Sequence, residues 1–172
     1  MEELLDVYDK LGNHAGCYPR RECHGNPALI HRVVHVVVFD RELKHILLQK
    51  RSKNKTIQPG KWDTAVGGHV NAGEELSAAA CRELREELGI DSPLEFFFED
   101  KIRNEIESED VFVYKTVSDG PFDYQREEID AVEFFDLRKF ADPTCRCRED
   151  FTPNLQKELA LILEKMGIAV KQ

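Results

Sequence analysis

An arginine and three glutamates lie close together in the sequence: Arg82, Glu83, Glu86 and Glu87. On a helix, residues three or four positions apart share a face, so the three carboxylates would project from one side. Carboxylates this close repel one another unless a cation lies between them, and hard divalent cations such as Mg²⁺ prefer oxygen ligands. Arg82 can pair with Glu86 one turn later. The segment therefore indicates a metal site, although a solvated acidic helix face has the same spacing.

The carboxylates lie on a predicted helix that spans residues 74–88. Its apolar residues recur every four positions and form one stripe: Leu76, Ala80, Leu84 and Leu88. Gly89 is expected to end the helix in a left-handed conformation. Gly67 and Gly68 allow the main chain to approach closely, so the Gly67 carbonyl is expected to face the same metal. Glu74, at the helix entrance, suits the positive end of the helix dipole.

The stretch 68–90 resembles the Nudix box, a motif that begins with a glycine and a glutamate and ends with Arg-Glu-aliphatic-any-Glu-Glu-any-Gly-aliphatic. Every fixed position is matched: Gly68, Glu74, Arg82, Glu83, Leu84, Glu86, Glu87, Gly89 and Ile90. The resemblance implies an α+β fold, an αβα sandwich around a central mixed β-sheet. It also implies a hydrolase that uses Mg²⁺, or Mn²⁺ in its place, to cleave the diphosphate bond of a nucleoside diphosphate derivative or another organic diphosphate.

A wider stretch, 31–75, is similar to the branch of that superfamily that includes type I isopentenyl-diphosphate isomerase. The isomerase binds a metal through three histidines and two glutamates, and segment 104–107 resembles its glutamate region. The histidine positions are occupied by His24, His31 and His69. The isomerase also needs a catalytic cysteine two residues before the last histidine, where this sequence has Gly67. Three further pieces resemble uncharacterised bacterial Nudix hydrolases more than isomerases: 96–101, 118–122 and 150–153.

These resemblances imply roles for individual residues. The box supplies the residues expected to be catalytic: Arg82, Glu83, Glu86 and Glu87. The three glutamates and Gly67 are expected to hold the metal. Arg51 and Lys55 fall at diphosphate-binding positions, and Gly68 and His69 are also expected to contact the small-molecule substrate. The family likeness makes a homodimer an open expectation.

Several alternatives remain open at the level of sequence. A further carboxylate is expected to complete the site, and the candidates are Glu105, Glu107, Glu109, Glu127 and Glu128. The three histidines form either a second metal site or part of the scaffold. His35 alternates with valines and is expected to be a packed or hydrogen-bonded core histidine. Besides a hydrolase, the sequence allows an isomerase of allylic diphosphates or a diphosphate-binding sensor with little catalysis.

The sequence predicts a single domain over residues 1–172, whose remaining elements must position these residues. Its N-terminal part, 1–30, is predicted to contain a hairpin over 3–23. Further strands are predicted at 33–39, 45–49, 62–66, 94–98, 111–116 and 131–135. The strand 45–49 is expected to be the hairpin partner of 33–39. Residues 52–61 predict a polar loop, and 154–166 predict a closing amphipathic helix.

Composition bounds the function. The chain has 172 residues and a formal net charge of −9, which argues against a general nucleic-acid or membrane-surface binder, since these need a basic face. No apolar run reaches the roughly 20 residues of a membrane span. Residues 1–6 contain no basic region followed by an apolar one, so no signal peptide is predicted. The odd number of cysteines, five, argues against a disulfide framework and favours a reducing cytoplasm. Cys145 and Cys147 could form a metal knuckle, but they lack the two-residue spacing of usual zinc pairs, so they are expected to be reduced thiols near a loop.

Overall fold

The computed structural model of the protein describes residues 2–142 and 144–170, without the side chains of residues 146 and 147. Its strands are β1 (Leu4–Tyr8), β2 (His14–Pro19), β3 (Ile30–Phe39), β4 (His45–Arg51), β5 (Trp62–Thr64), β6 (Val66–His69), β7 (Glu95–Arg103), β8 (Ser108–Val117) and β9 (Ile129–Asp136). Its α-helices are α1 (Arg20–Cys23), α2 (Leu76–Leu88), α3 (Leu137–Phe140) and α4 (Pro153–Lys165). A 3-10 turn covers Arg146–Asp150.

The long strand β3 organises the sheet. It runs parallel to β8 over its whole length, from Ile30 opposite Ser108 to Phe39 opposite Val117. On its other side it pairs antiparallel with β1 and then with β6. β4 pairs antiparallel with β5 and β9, and β7 pairs antiparallel with β8. The described residues thus form one mixed sheet of nine strands.

Helices cover both faces of this sheet. Alternate residues of β3 point to opposite faces. Val34, Val36 and Val38 pack with buried residues of α2. Val33, Val37 and Phe39 pack with buried residues of α4. The α+β sandwich with a central mixed sheet is confirmed, and the two cores hold α2 and α4 against opposite sides of one strand.

Two expectations about strand pairing need correction. β3 and β4 are joined by a turn, but the register contains one pair between them, Phe39 with Ile46. Each strand has only two edges, and those of β3 are taken mainly by β8 and by β1 and β6, so β4 pairs along its length with β9 instead. The predicted strand 62–66 is two short strands, because the chain passes at Ala65 from pairing with β4 to pairing with β3.

The N-terminal hairpin and both long helices lie where the sequence predicts them. β1 and β2 pair antiparallel on either side of the predicted turn. The helix α4 begins after Thr152, whose side chain accepts a hydrogen bond from the Leu155 amide. In the part of the chain that is described, no helix is long and apolar enough to cross a bilayer.

The cysteines only partly match the prediction of reduced thiols. Cys17, Cys23 and Cys81 are free. Cys145 is disulfide-bonded, so the prediction is wrong for this residue. Pairing depends on how closely two sulfur atoms approach in space, which the spacing of cysteines along the chain does not reveal. The side chain of Cys147 lies outside the described residues.

Candidate active site

The acidic helix α2 is anchored by its apolar face. Ala79, Ala80, Leu84 and Leu88 are buried against the sheet. Gly89 ends the helix with φ 67°, in the predicted left-handed conformation. Glu83 and Glu87 immediately precede the buried Leu84 and Leu88, so the packing of the helix fixes the position of both carboxylates.

Arg82 holds the box together. Its Nε and Nη2 donate to the two carboxylate oxygens of Glu74, each at 2.9 Å, a bidentate arrangement of high geometric specificity. Nη1 donates to Glu83 Oε1 at 2.6 Å, and Nη2 also donates to the His69 carbonyl at 3.0 Å. The predicted pair with Glu86 is present but longer, at 3.4 Å. Arg82 therefore orients Glu83 against β6 rather than mainly holding Glu86.

Glu83 occupies the space that a side chain at position 68 would need. A Cβ placed on Gly68 would lie 2.0–2.5 Å from the carboxyl atoms of Glu83, far inside van der Waals contact. The glycine is thus required by close approach. Burial raises the pKa of Glu83, although its hydrogen bond and charge contact with Arg82 act in the opposite direction.

Glu87 is the most buried carboxylate of the box. Gln49 on β4 donates a hydrogen bond from Nε2 to Glu87 Oε2 at 2.9 Å, and the Gly67 main chain supplies a second one. Burial, and then the negative charge of Glu83, raise the pKa of Glu87 to about 8. No basic side chain in the described residues forms a salt bridge with it. Two nearby carboxylates with too little positive charge between them fit a divalent cation.

Glu86 lies apart from the other two carboxylates. Its side chain is 51% exposed, whereas that of Glu83 is 12% exposed. The structure therefore brings Glu83 and Glu87 together beside Gly67 and Gly68, with Glu86 on the solvent side. Oxygen donors of this kind suit Mg²⁺ or Mn²⁺.

The predicted phosphate-binding residues already have partners. Arg51 ends β4 and donates from Nη1 to Asp63 Oδ2 at 3.1 Å, and from Nε and Nη2 to the Ile57 carbonyl. Lys55 forms an ion pair with Glu128. The charge of Lys55 also acts to lower the pKa of Glu87, although burial and the charge of Glu83 outweigh it.

The three histidines come together in a second cluster. Each of His24, His31 and His69 offers one ring nitrogen, and these three nitrogens all lie within 4.8 Å of one another. The Nε2 atoms of His24 and His69 are 3.0 Å apart. His31 is fully buried, its Nε2 has no hydrogen-bond partner among the described residues, and it lies 3.4 Å from Glu109 Oε1. Glu107 Oε2 lies 4.0 Å from His24 Nδ1.

The electrostatics of this cluster keep one ring neutral. Burial, followed by the charges of Arg20 and His31, lowers the pKa of His69 to about 2. A neutral imidazole is the form that binds a metal. Of the downstream glutamates, Glu107 and Glu109 lie beside the histidines, whereas Glu105 and Glu127 are exposed.

Two buried polar residues are not predicted by the sequence patterns, one beside the box and one on the opposite side of the sheet. Gln49 stands at the end of a predicted apolar strand, yet it is 8% exposed and binds Glu87. Glu158 interrupts the apolar stripe of α4, is 5% exposed and binds His35. The available signal was a polar residue at a position where the pattern demands an apolar one.

Comparison with known proteins places this geometry in a family. The NUDIX domain profile matches residues 29–155. The chain belongs to the Nudix hydrolase family. The uncharacterised Nudix hydrolase YfcD of Escherichia coli (strain K12) is 37% identical over 168 residues, which is 95% of this chain and 88% of that protein. The crystal structure of DR0079 from Deinococcus radiodurans has the same fold, with a TM-score of 0.74 at 22% identity, covering 92% of this chain and 98% of that one.

Other Nudix relatives match over a smaller share of their length. Nudix hydrolase 3 of Arabidopsis thaliana is 34% identical, and the match covers 81% of this chain but 20% of that longer protein. Isopentenyl-diphosphate Delta-isomerase 2 of Photorhabdus laumondii is 39% identical over 94 residues, which is 55% of this chain and 52% of that protein. The isomerase likeness therefore extends over about half of this Nudix chain.

Proposed function

We propose that this Nudix protein is a Mg²⁺- or Mn²⁺-dependent pyrophosphohydrolase that cleaves a nucleoside diphosphate derivative or another organic diphosphate. The observation that carries the proposal is the buried carboxylate of Glu87, which lies beside Glu83 and forms no salt bridge with a basic side chain of the described residues. A buried carboxylate charge without a salt-bridge partner is costly, so this site favours the binding of a divalent cation.

The chain's own residues prepare the reaction. Glu83, Glu86, Glu87 and the Gly67 carbonyl would hold the metal, which when bound neutralises phosphate charge and lowers the pKa of a bound water. Arg82 and Gln49 fix the orientation of Glu83 and Glu87. A box glutamate would accept a proton from water as the water oxygen bonds to phosphorus. The bond between that phosphorus and the bridging oxygen breaks, and the other phosphate leaves with the bridging oxygen.

Arg51 and Lys55 would receive the phosphate groups. Both side chains sit in acidic contacts, Arg51 with Asp63 and Lys55 with Glu128. A diphosphate carries more charge than a carboxylate and can replace the exposed Glu128 as the partner of Lys55. Gly68 and His69 lie on β6 and would contact the same substrate.

The proposal is tested by turnover of a diphosphate panel with Mg²⁺ or Mn²⁺. The panel contains nucleoside di- and triphosphates, nucleotide sugars, dinucleotides, coenzyme A and isopentenyl diphosphate. Glu87→Gln should lower metal-dependent hydrolysis by at least about 100-fold. The control Glu75→Gln, at the exposed start of the same helix, should retain activity. Hydrolysis that persists in Glu87→Gln would remove the box from the mechanism.

We further infer that the histidine cluster holds a second, transition-metal ion. Its support is the fully buried His31, whose Nε2 lacks a hydrogen-bond partner within the described chain and faces two other histidines. Imidazole nitrogens with one or two carboxylates suit Zn²⁺ or Mn²⁺. Elemental analysis of purified protein should find about one such ion per chain, lost in His69→Ala and retained in His45→Ala. Equal metal content in both variants would overturn this inference.

The same cluster keeps isomerase activity as the second candidate, because it matches the isomerase metal ligands. Gly67 has no side chain where that chemistry needs a thiol. We therefore favour hydrolysis. Isomerisation of isopentenyl diphosphate by the unmodified protein would reverse this choice, and tight diphosphate binding without turnover would support a sensor.

A further inference from the structure

A cavity of about 570 Å³ opens at the start of β3. Four of its lining residues are paired with one another across neighbouring strands: Tyr8 on β1, Ile30 on β3, Ser108 on β8 and Arg103 on β7. Paired residues of neighbouring strands point to the same face of a sheet, so these side chains form one row. Ile30 is 6% exposed, whereas 27–28 at the edge of the cavity are exposed. The cavity therefore has a buried apolar floor and is open to solvent.

This cavity is separate from the box carboxylates. Gly68, against which Glu83 packs, lies opposite Val34 of β3. Ile30 lies four residues earlier on the same strand, which corresponds to about 13 Å at the rise of a β-strand. The described residues that line the cavity include no member of the box and none of the three clustered histidines. A ligand in this cavity would thus leave the proposed catalytic site free.

The lining of the cavity is positively charged, although the chain has a net charge of −9. Lys10, Lys101 and Arg103 all contribute to it. Arg103 forms an ion pair with Asp110, but neither lysine ammonium group takes part in an ion pair or hydrogen bond within the described residues. Asp9 also lines the cavity, and both of its carboxylate oxygens accept hydrogen bonds from its own turn. Two ammonium groups therefore lack an anionic partner in the part of the chain that the structure describes.

Arg32 adds a further positive charge beside this lining. It follows Ile30 by two residues on β3, so its side chain points to the same face of the sheet. Its guanidinium carbon lies 3.6 Å from the centre of the Tyr8 ring, a cation–π contact that holds the ring in place. Its Nε is buried and has no hydrogen-bond partner among the described residues. The ring that lines the cavity is thus backed by a cation.

We propose that this cavity is a second, non-catalytic anion site that binds a phosphate monoester with an apolar or aromatic body, such as a nucleoside monophosphate. Lys10 and Lys101 would bind the phosphate, since an ammonium group donates charge-assisted hydrogen bonds to it. The body of the ligand would cover Ile30 and the Tyr8 ring. Inorganic phosphate lacks the apolar contact, and a nucleoside lacks the charge. The proposal does not depend on hydrolysis at the box.

The experiment titrates the full chain with AMP, UMP, adenosine and inorganic phosphate in the presence of a chelator. Calorimetry gives the affinity, and amide chemical shifts in NMR spectra locate the bound ligand. The double variant Lys10→Gln, Lys101→Gln is compared with the control Lys44→Gln, Lys139→Gln, which makes the same charge change at two exposed positions outside the cavity. Arg51→Gln removes a proposed phosphate-binding residue of the catalytic site. Thermal unfolding confirms that each variant folds, and the chemical shifts of the wild type test the location without any variant.

AMP and UMP should bind, and the amides of Tyr8 and Ile30 should shift more than those of 67–69. The Lys10, Lys101 double variant should lower their affinity by at least about 10-fold, and the lysine control and Arg51→Gln by less than about 3-fold. Adenosine and inorganic phosphate should bind at least about 10-fold more weakly than AMP. Absence of binding, adenosine or phosphate binding as tight as that of AMP, or shifts centred on 67–69 with the loss of affinity in Arg51→Gln, would each overturn the site.

Discussion

Replacing Glu87 by glutamine is expected to make the metal-free protein less sensitive to rising pH. Burial, and next the charge of Glu83, raise the pKa of Glu87 from 4.5 to about 8. Between these values the native protein retains a proton that the unfolded chain has released. The free energy of unfolding therefore falls as the pH rises through this window, and stability is greatest below it.

The size of the effect follows from the shift. One pKa unit corresponds to about 1.4 kcal/mol, so the change from 4.5 to about 8 costs at most about 5 kcal/mol above pH 8. Glutamine stays neutral over the whole range. Between about pH 5 and pH 8.5, wild-type protein should therefore lose roughly 3–5 kcal/mol more stability than Glu87→Gln.

The assay is urea unfolding in the presence of a chelator at several pH values, with a constant m-value as the test of two-state behaviour. The control is Glu86→Gln, one position away on the same helix and 51% exposed, which should differ from wild type by no more than about 0.5 kcal/mol. Adding Mg²⁺ should restabilise the wild type at high pH but not Glu87→Gln, because only a native-state ligand raises stability.

One result would refute the reasoning. If wild type and Glu87→Gln lose stability in parallel between pH 5 and 8.5, Glu87 does not carry an uncompensated buried charge. The physical argument for a cation at this carboxylate would then fail, whatever the activity of the variant.

Two further predictions concern the hydrolytic activity of Gly68→Ala and the contribution of His35 to stability at different pH values. Gly68→Ala should abolish most hydrolysis while the protein still folds, because its Cβ would displace the Glu83 carboxylate, and normal turnover would contradict the packing found here. Burial alone would lower the pKa of His35, but Glu158 raises it from 6.5 to about 9. In a Glu87→Gln background, protonated His35 should therefore contribute roughly 1–3 kcal/mol to the free energy of unfolding below pH 6.5, and this contribution should be lost by pH 9. Adding Glu158→Gln should remove this loss of stability with rising pH.

The sequence predicts the elements well where a local signal exists. The period of the apolar residues and Gly89 locate α2, and the box fixes which carboxylates it carries. The pairing of β4 with β9 is not predictable in this way, because it depends on which edges of β3 are already occupied. Local patterns report the type of an element and say little about its distant partner.

The candidate site likewise combines contacts that local sequence spacing predicts with long-range contacts that it does not predict. The role of Arg82 could be foreseen in part, since Glu86 is one turn away, yet its main contacts are with Glu74 and Glu83. The contact of His35 with Glu158 joins residues 123 positions apart, and no spacing in the sequence indicates it. Long-range hydrogen bonds of this kind are set by the packing of α4 on the sheet.

The two adjacent glycines of β6, Gly67 and Gly68, face different side chains. Successive residues of a strand point to opposite faces, so each glycine opens space on a different face. At Gly68 the space is filled by Glu83 from α2, and at Gly67 it is bordered by His35 on the α4 side. A side chain at position 68 should therefore abolish catalysis by displacing a proposed metal ligand.

A side chain at position 67 should have a different effect. The Cβ in Gly67→Ala would lie 3.3 Å from His35 Cδ2, which is tight but clear of the box carboxylates. It should lower the free energy of unfolding by about 1–2 kcal/mol through this tight contact, and it should lower hydrolysis less than Gly68→Ala does. Thermal unfolding and diphosphate turnover, measured for Gly67→Ala and Gly68→Ala, separate packing on the α4 side from catalysis at the box. Equal losses with both variants would mean that the two faces of β6 serve one function rather than two.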